Sequence, residues 1–145
     1  MGAVQKLATV VIVGRSLSRT AAVVHELKTH SGNPNVDDRL ADLSRPGDVR
    51  RLAESFKAQY KRLDVLINNA GAIFSQRHET PEGFEMTFAL NHLSYFLLTN
   101  LLMDELKASA AEVGKPARVI NVSAGAHFGA HLNFNDLQSR KRYSG

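Results

Sequence analysis

The apolar residues of this chain fall into two kinds of run. ATVVIV at residues 8–13 is rich in β-branched side chains and shows no polar alternation, as expected for a strand buried on both faces of a parallel sheet. Downstream, SLSRTAAVVHELKTHSG switches to helical spacing, with Ser16 or Ser18 as N-cap, Ala22, Val23 and Leu27 as the apolar positions and Gly32 as a stop. VDDRLADL at 36–43 reads as a second strand. Ser44 then stands as a cap before a stripe of Val49, Leu52, Phe56 and Tyr60.

LDVLINNAG at 63–71 supplies a third strand running into a tight turn. Thr80 and Pro81 then open a long helix expected to reach about residue 108, since proline suits a first helical turn. GKPA breaks the pattern before a fourth strand, RVINVS, at 118–123. Alternating strands and helices predict an α/β fold with a parallel sheet, in a single domain over residues 1–145. Arg15, Asp42 and Asn69 stand 27 residues apart in turn, and each interval fits one right-handed crossover.

Composition narrows the function classes. With 43% hydrophobic and 22% charged residues the chain is ordinary for a globular domain. The absence of cysteine excludes disulfides, thiolate metal sites and a cysteine nucleophile, and is consistent with a reducing cytoplasm. A net charge of +4 fits improved solubility better than a nucleic-acid partner, because the one dense basic cluster, SRKRY at 139–143, lacks interleaved aromatics. The apolar start is too short to span a bilayer. The stretch FALNHLSYFLLTNLLM is interrupted by Asn91, His92, Ser94 and Asn100, so no membrane span is expected, and the 81–108 helix is read as buried or as a homo-oligomer interface. His127 and His131 have a spacing suited to metal ligation but no carboxylate beside them, so no metal site is expected.

Taken in order, VIVGR, ADLS, LDVLINNAG, ETPEGFEMTFALNHLSYFLLTNLL and RVINVSAGAHF followed by LNFNDLQSRKRYSG resemble the short-chain dehydrogenase/reductase family, specifically its retinol-dehydrogenase-like branch. The resemblance covers nearly the whole chain. It implies a Rossmann fold and hydride transfer between NADP(H) or NAD(H) and a small-molecule alcohol or carbonyl carbon. It also implies the following roles. Arg15 is placed where the family reads the adenosine ribose, and a guanidinium there favours the 2′-phosphate of NADP(H). Asp42 and Leu43 match the pair along the adenine, and Asn69, Ala70 and Gly71 match the turn bordering the nicotinamide ribose. Asn91 matches the helix residue that holds a water in the proton relay. Taken without the resemblance, the same residues read as a solvent-facing arginine, a capping aspartate, a tight turn and a polar side chain satisfied by backbone.

The chain also departs from the family pattern. VGRSLSRT carries one glycine where the phosphate-cradling turn of the family has three, and its distance to Asp42 places it on the family's second strand. No Tyr-x-x-x-Lys occurs among the 145 residues, and Tyr143 matches a neighbour of the catalytic tyrosine rather than that residue. The strand that in relatives ends in Val-Ser-Ser ends here in Ser123 and Ala124, so Ser123 is the one hydroxyl available to steady a substrate oxygen. The expected fold is therefore an incomplete Rossmann-like sheet flanked by helices, lacking the first β-α unit and the Tyr-x-x-x-Lys helix. Two functions fit it: part of an oxidoreductase that is inactive alone, or a non-catalytic assembly or regulatory protein derived from that fold.

Overall fold

A computed structural model describes residues 8–125, 128 and 131–143. Residues up to Asp42 form one compact unit, and those from Leu43 onward form a second.

In the first unit, β1 (Val10–Gly14) and β2 (Val36–Leu40) pair in parallel, with Val10 opposite Val36 and Gly14 opposite Leu40. Helix α1 (Leu17–Ser31) is the crossover between them. Ser16 is its N-cap, as expected, though through its backbone alone: the Ser16 carbonyl accepts from the Thr20 amide at 2.9 Å and from the Thr20 hydroxyl at 2.7 Å. Gly32 stops the helix in a left-handed conformation, φ 67°, which a residue with a side chain adopts only with strain. Val24 and Val36 form the core, with Val10, Ile12 and Leu27 packed against them. Gly14 is required by packing: a Cβ there would lie 2.1 Å from the Thr20 hydroxyl oxygen.

In the second unit, α2 (Pro46–Gln59) is followed by β3 (Val65–Asn68) and β4 (Arg118–Asn121), paired in parallel with Val65 opposite Arg118 and Asn68 opposite Asn121. Between the two strands come α3 (Met86–Phe88), a π-helical turn (Ala89–Leu93), α4 (Ser94–Leu101) and α5 (Met103–Val113). The stripe of Val49, Leu52 and Phe56 is buried on α2, and Leu66, Ala89, Leu98, Leu102 and Leu106 are buried around the strands and helices that follow. Ser109 ties α5 to the approach of β3, accepting from the Leu63 amide at 2.7 Å while donating to the Glu105 carbonyl.

Several expectations are corrected. The four strands form two two-stranded sheets rather than one sheet of four. Each ladder joins two strands linked by a crossover. Full burial of β1 on both faces also fails, since Val10 to Gly14 are all half-buried; β3 buries Leu66 and Asn68 but exposes Val65 and Ile67, and β4 is exposed along its length.

Ser44 does not cap α2, because Pro46 occupies the first helical position and makes Arg45 the N-cap. The single helix of 81–108 is likewise replaced. Thr80 and Pro81 lie in a turn closed by the Thr80 amide on the Phe84 carbonyl at 2.8 Å, with Gly83 at φ 85°. Helical structure starts only after Glu85, whose carboxylate accepts from the amides of Thr87 (2.8 Å) and Phe88 (2.7 Å). It is interrupted at Leu102, φ −107° and ψ 10°, and continues past 108 to Val113. No helix among the described residues is long and apolar enough to cross a membrane.

Candidate functional site

All four strands run parallel within their sheets, so each pair presents its carboxyl ends on one side. Within each pair the candidate residues follow those ends. Arg15 follows β1, Asp42 and Leu43 follow β2, Asn69 to Gly71 follow β3 and Ser123 follows β4. In open α/β sheets this is the side on which ligands bind, since loops and helix N-termini converge there.

The best-defined part of the site is the turn after β3. Alternation along the strand sends Asn68 inward and Asn69 outward. The Asn68 amide donates to the Asn121 side-chain oxygen at 2.8 Å and to the Thr99 hydroxyl at 3.1 Å, so both of its hydrogens are used to fasten β3 to β4 and α4. Asn69 and Gly71 are exposed and Ala70 half-buried, which leaves their backbone open to a ligand.

Asn91 holds this turn from the π-helical turn. Its Oδ1 accepts from the Ala72 amide at 3.0 Å and its Nδ2 donates to the Ala72 carbonyl at 2.9 Å. The second Nδ2 hydrogen makes no bond among the described residues, so a half-exposed donor remains. A Cβ on Gly71 would sit 3.3 Å from Asn91 Oδ1, which makes glycine the residue that lets the turn lie against Asn91. One helical turn on, Tyr95 donates its phenol to the Ala70 carbonyl at 3.1 Å. Burial raises the Tyr95 pKa above that of a free phenol, so the group stays protonated and acts as a donor.

The segment after β4 returns to the same region. Tyr143 donates its phenol proton to the Phe74 carbonyl at 2.6 Å, and the Thr87 hydroxyl, 3.1 Å away, then donates to Tyr143. Gln138 accepts from Arg77 Nε through its carbonyl at 2.9 Å and from the Glu85 amide through its Oε1 at 2.6 Å. Tyr143 therefore tethers this segment to Phe74 and Thr87.

Other sequence candidates are less engaged. Arg15 is exposed and makes no ion pair among the described residues. Ser123 is exposed, and no hydrogen bond joins its hydroxyl to a described residue, so the structure does not bring it to Asn91. Asp42 and Leu43 are half-buried. His127 lies outside the described residues, and no group of three or more potential metal ligands occurs within them. Sequence reasoning missed Tyr95 and Asn68. Tyr95 was accessible as the residue four positions after Asn91, on the same helical face, and Asn68 through the two-residue period of β3.

The turn after β3 combines small side chains, open backbone and a fixed amide donor, which leaves room for a ligand to approach its backbone. Gly14 ends β1 and packs on Thr20, so the loop that follows it has no glycine with which to cradle a pyrophosphate.

The family model for short chain dehydrogenase matches residues 2–134. Human retinol dehydrogenase 12 is 43% identical over 137 residues, covering 94% of this chain and 42% of that protein. Human polyprenol dehydrogenase is 42% identical over 135 residues, covering 93% of this chain and 41% of that protein. An uncharacterized protein from Mycobacterium paratuberculosis superimposes with a TM-score of 0.76 at 33% identity, over 99% of this chain and 49% of that one. The Pseudomonas aeruginosa RhlG/NADP active-site complex does so with a TM-score of 0.72 at 30% identity, over 94% of this chain and 54% of that one. The chain spans about 42% of the length of such curated relatives.

Proposed function

Because this chain belongs to the short-chain dehydrogenase family, we propose that it is part of an NAD(P)(H)-dependent oxidoreductase acting on a small-molecule alcohol or carbonyl, with residues 1–145 as a partial cofactor-binding domain. The observation that carries this reading is the placement of the candidate residues after the carboxyl ends of parallel strands, with the β3 turn fastened by Asn91.

Asn69, Ala70 and Gly71 would border the nicotinamide ribose, and Asp42 and Leu43 the adenine. The unpaired guanidinium of Arg15 would favour the 2′-phosphate of NADP(H) over the bare ribose of NAD(H). When bound, the cofactor would supply or accept the hydride. Asn91 would hold a relay water through its spare amide hydrogen, and Ser123 would orient the substrate oxygen. The 145 residues contain neither the three-glycine turn nor Tyr-x-x-x-Lys, so the chain alone is expected to be inactive.

A cytoplasmic location is part of the proposal, supported by the cysteine-free composition. A second reading, a non-catalytic assembly protein, draws on exposed apolar side chains, notably Phe96 on α4 at 65% exposure and Ile67 at 58%. Self-association through the α3–α5 region would serve either reading.

The test is a fusion that adds a family glycine-rich β-α unit in front and a Tyr-x-x-x-Lys segment behind, assayed for reduction of a test carbonyl. The reading expects turnover with NADPH, a preference for NADPH over NADH that falls at least tenfold in Arg15→Glu, and faster turnover in Ala124→Ser, since one oxyanion donor is worth about 100- to 1000-fold. A well-folded fusion with no nicotinamide-dependent turnover would leave the assembly reading in its place.

A further inference from the structure

A cavity of about 440 Å³ lies between α3 and the segment 131–143, apart from the β3 turn. Its lining divides by chemistry. Phe88, Leu132 and Leu137 form an apolar wall, and Leu132 is 74% exposed to the open space. His131, Lys141 and Arg142 supply donors, and neither Lys141 nor Arg142 forms an ion pair among the described residues. The one carboxylate in the lining, Asp136, accepts from the backbone amides of Arg140 (2.8 Å) and Lys141 (2.9 Å) and also feels the Lys141 charge, which leaves the Arg142 guanidinium as the cation with the freest head. Two cations and three apolar side chains thus line one cavity.

An isolated cation on a surface is ordinary, and so is an exposed leucine. Their union in one concave site of ligand size is what selects a ligand. Water alone satisfies the cations but not the apolar wall, and a neutral hydrocarbon does the reverse. From this juxtaposition we infer that the cavity binds an anionic amphiphile, with a carboxylate or phosphate head on Arg142 and Lys141 and a short alkyl tail against Phe88, Leu132 and Leu137. The planar guanidinium of Arg142 can engage two oxygens of such a head at once, while Lys141 acts as a point charge. This site is separate from the proposed hydride-transfer chemistry and does not depend on it.

The segment can tolerate the substitutions that test the idea. Lys141 holds Asp136 through its backbone amide, so Lys141→Gln removes the charge and leaves that bond in place. The experiment titrates the full chain with decanoate, decyl phosphate, decanol and acetate, each below its micellar concentration, following amide chemical shifts. Decanoate or decyl phosphate, whichever head the site prefers, should bind at least tenfold more tightly than decanol, with shifts clustered at Phe88 and residues 131–142, and acetate should not saturate. Lys141→Gln with Arg142→Gln should abolish the preference for the acid while retaining decanol binding, and Phe88→Ala should weaken decanol and acid alike. Equal affinity for decanoate, decyl phosphate and decanol, or an unchanged preference in the folded double variant, overturns the inference. So does a shift map centred elsewhere.

Discussion

Asn91 grips Ala72 at both ends of its amide, accepting from the Ala72 N–H at 3.0 Å and donating to the Ala72 carbonyl at 2.9 Å across 19 residues of sequence. This pairing satisfies a loop backbone that no ladder reaches, and it sits in a π-helical turn, where one extra residue per turn re-aims the side chain. Asn91→Leu keeps the approximate volume and leaves both Ala72 groups unpaired. Ala72 is half-buried, so water recovers part of the loss, and the expected destabilisation is about 1–2 kcal/mol by urea denaturation. Amide exchange at Ala72 should accelerate with it, and an unchanged exchange rate would show that the clamp does not hold the turn.

Tyr143 joins segments 69 residues apart by donating to the Phe74 carbonyl. Tyr143→Phe removes that bond and the one from Thr87 while leaving the ring. The cost should be about 1–2 kcal/mol, the range of one to two net hydrogen bonds. Limited proteolysis should find the 131–143 segment cut faster in the variant. Equal cleavage rates would mean that Gln138, bonded to both Arg77 and Glu85, suffices to hold the segment.

Much of the fold was readable because its signals are local. Gly32 ends α1 through its own left-handed backbone, and the buried stripe of α2 repeats at helical spacing, although Pro46 rather than Ser44 sets where α2 begins. The equal intervals from Arg15 to Asp42 to Asn69 reflect β-α repeats, and those residues do follow successive strands. What escaped depends on distant partners. The turn at 80–84 competes with a helix start at Pro81 and prevails because Glu85 caps the next residues and Gln138, 53 positions away, accepts from its amide. The π-helical turn leaves no period in the sequence, and Tyr95 reads as one more apolar-face aromatic until the Ala70 carbonyl is placed under its hydroxyl.

Acid should loosen the segment after β4. The backbone amides of Lys141 and Arg140 hold the Asp136 carboxyl below its ordinary value of 3.8, and the Arg77 guanidinium does the same for Glu79. A carboxylate with a depressed folded pKa stabilises the fold fully above its unfolded value and loses that contribution as pH falls through the folded one. Stability should therefore decline below about pH 4, the ordinary range for these side chains. Asp136→Asn should flatten this acid limb in thermal melts between pH 2 and 6. A limb as steep as that of the parent chain would assign acid sensitivity to other carboxylates.

Glu85 caps α3 with both oxygens of its carboxylate. It is 4% exposed, and its two oxygens each take one amide, from Thr87 and Phe88, while its own amide donates to Gln138. A buried carboxylate survives there because both oxygens accept and because the N-terminal end of a helix favours negative charge. Glu85→Ala removes both acceptors at once, and the expected loss is about 1–2 kcal/mol, the upper part of the range for a capping residue. Glu85→Gln retains one acceptor but brings an amide nitrogen against a backbone N–H, so it should recover less than half of the loss. Since the turn at 80–84 and the start of α3 both hinge on this side chain, amide exchange at Thr87 and Phe88 should rise together in the alanine variant. If the glutamine variant is as stable as the parent, charge contributes nothing at this cap and one hydrogen bond is enough to set where the helix begins.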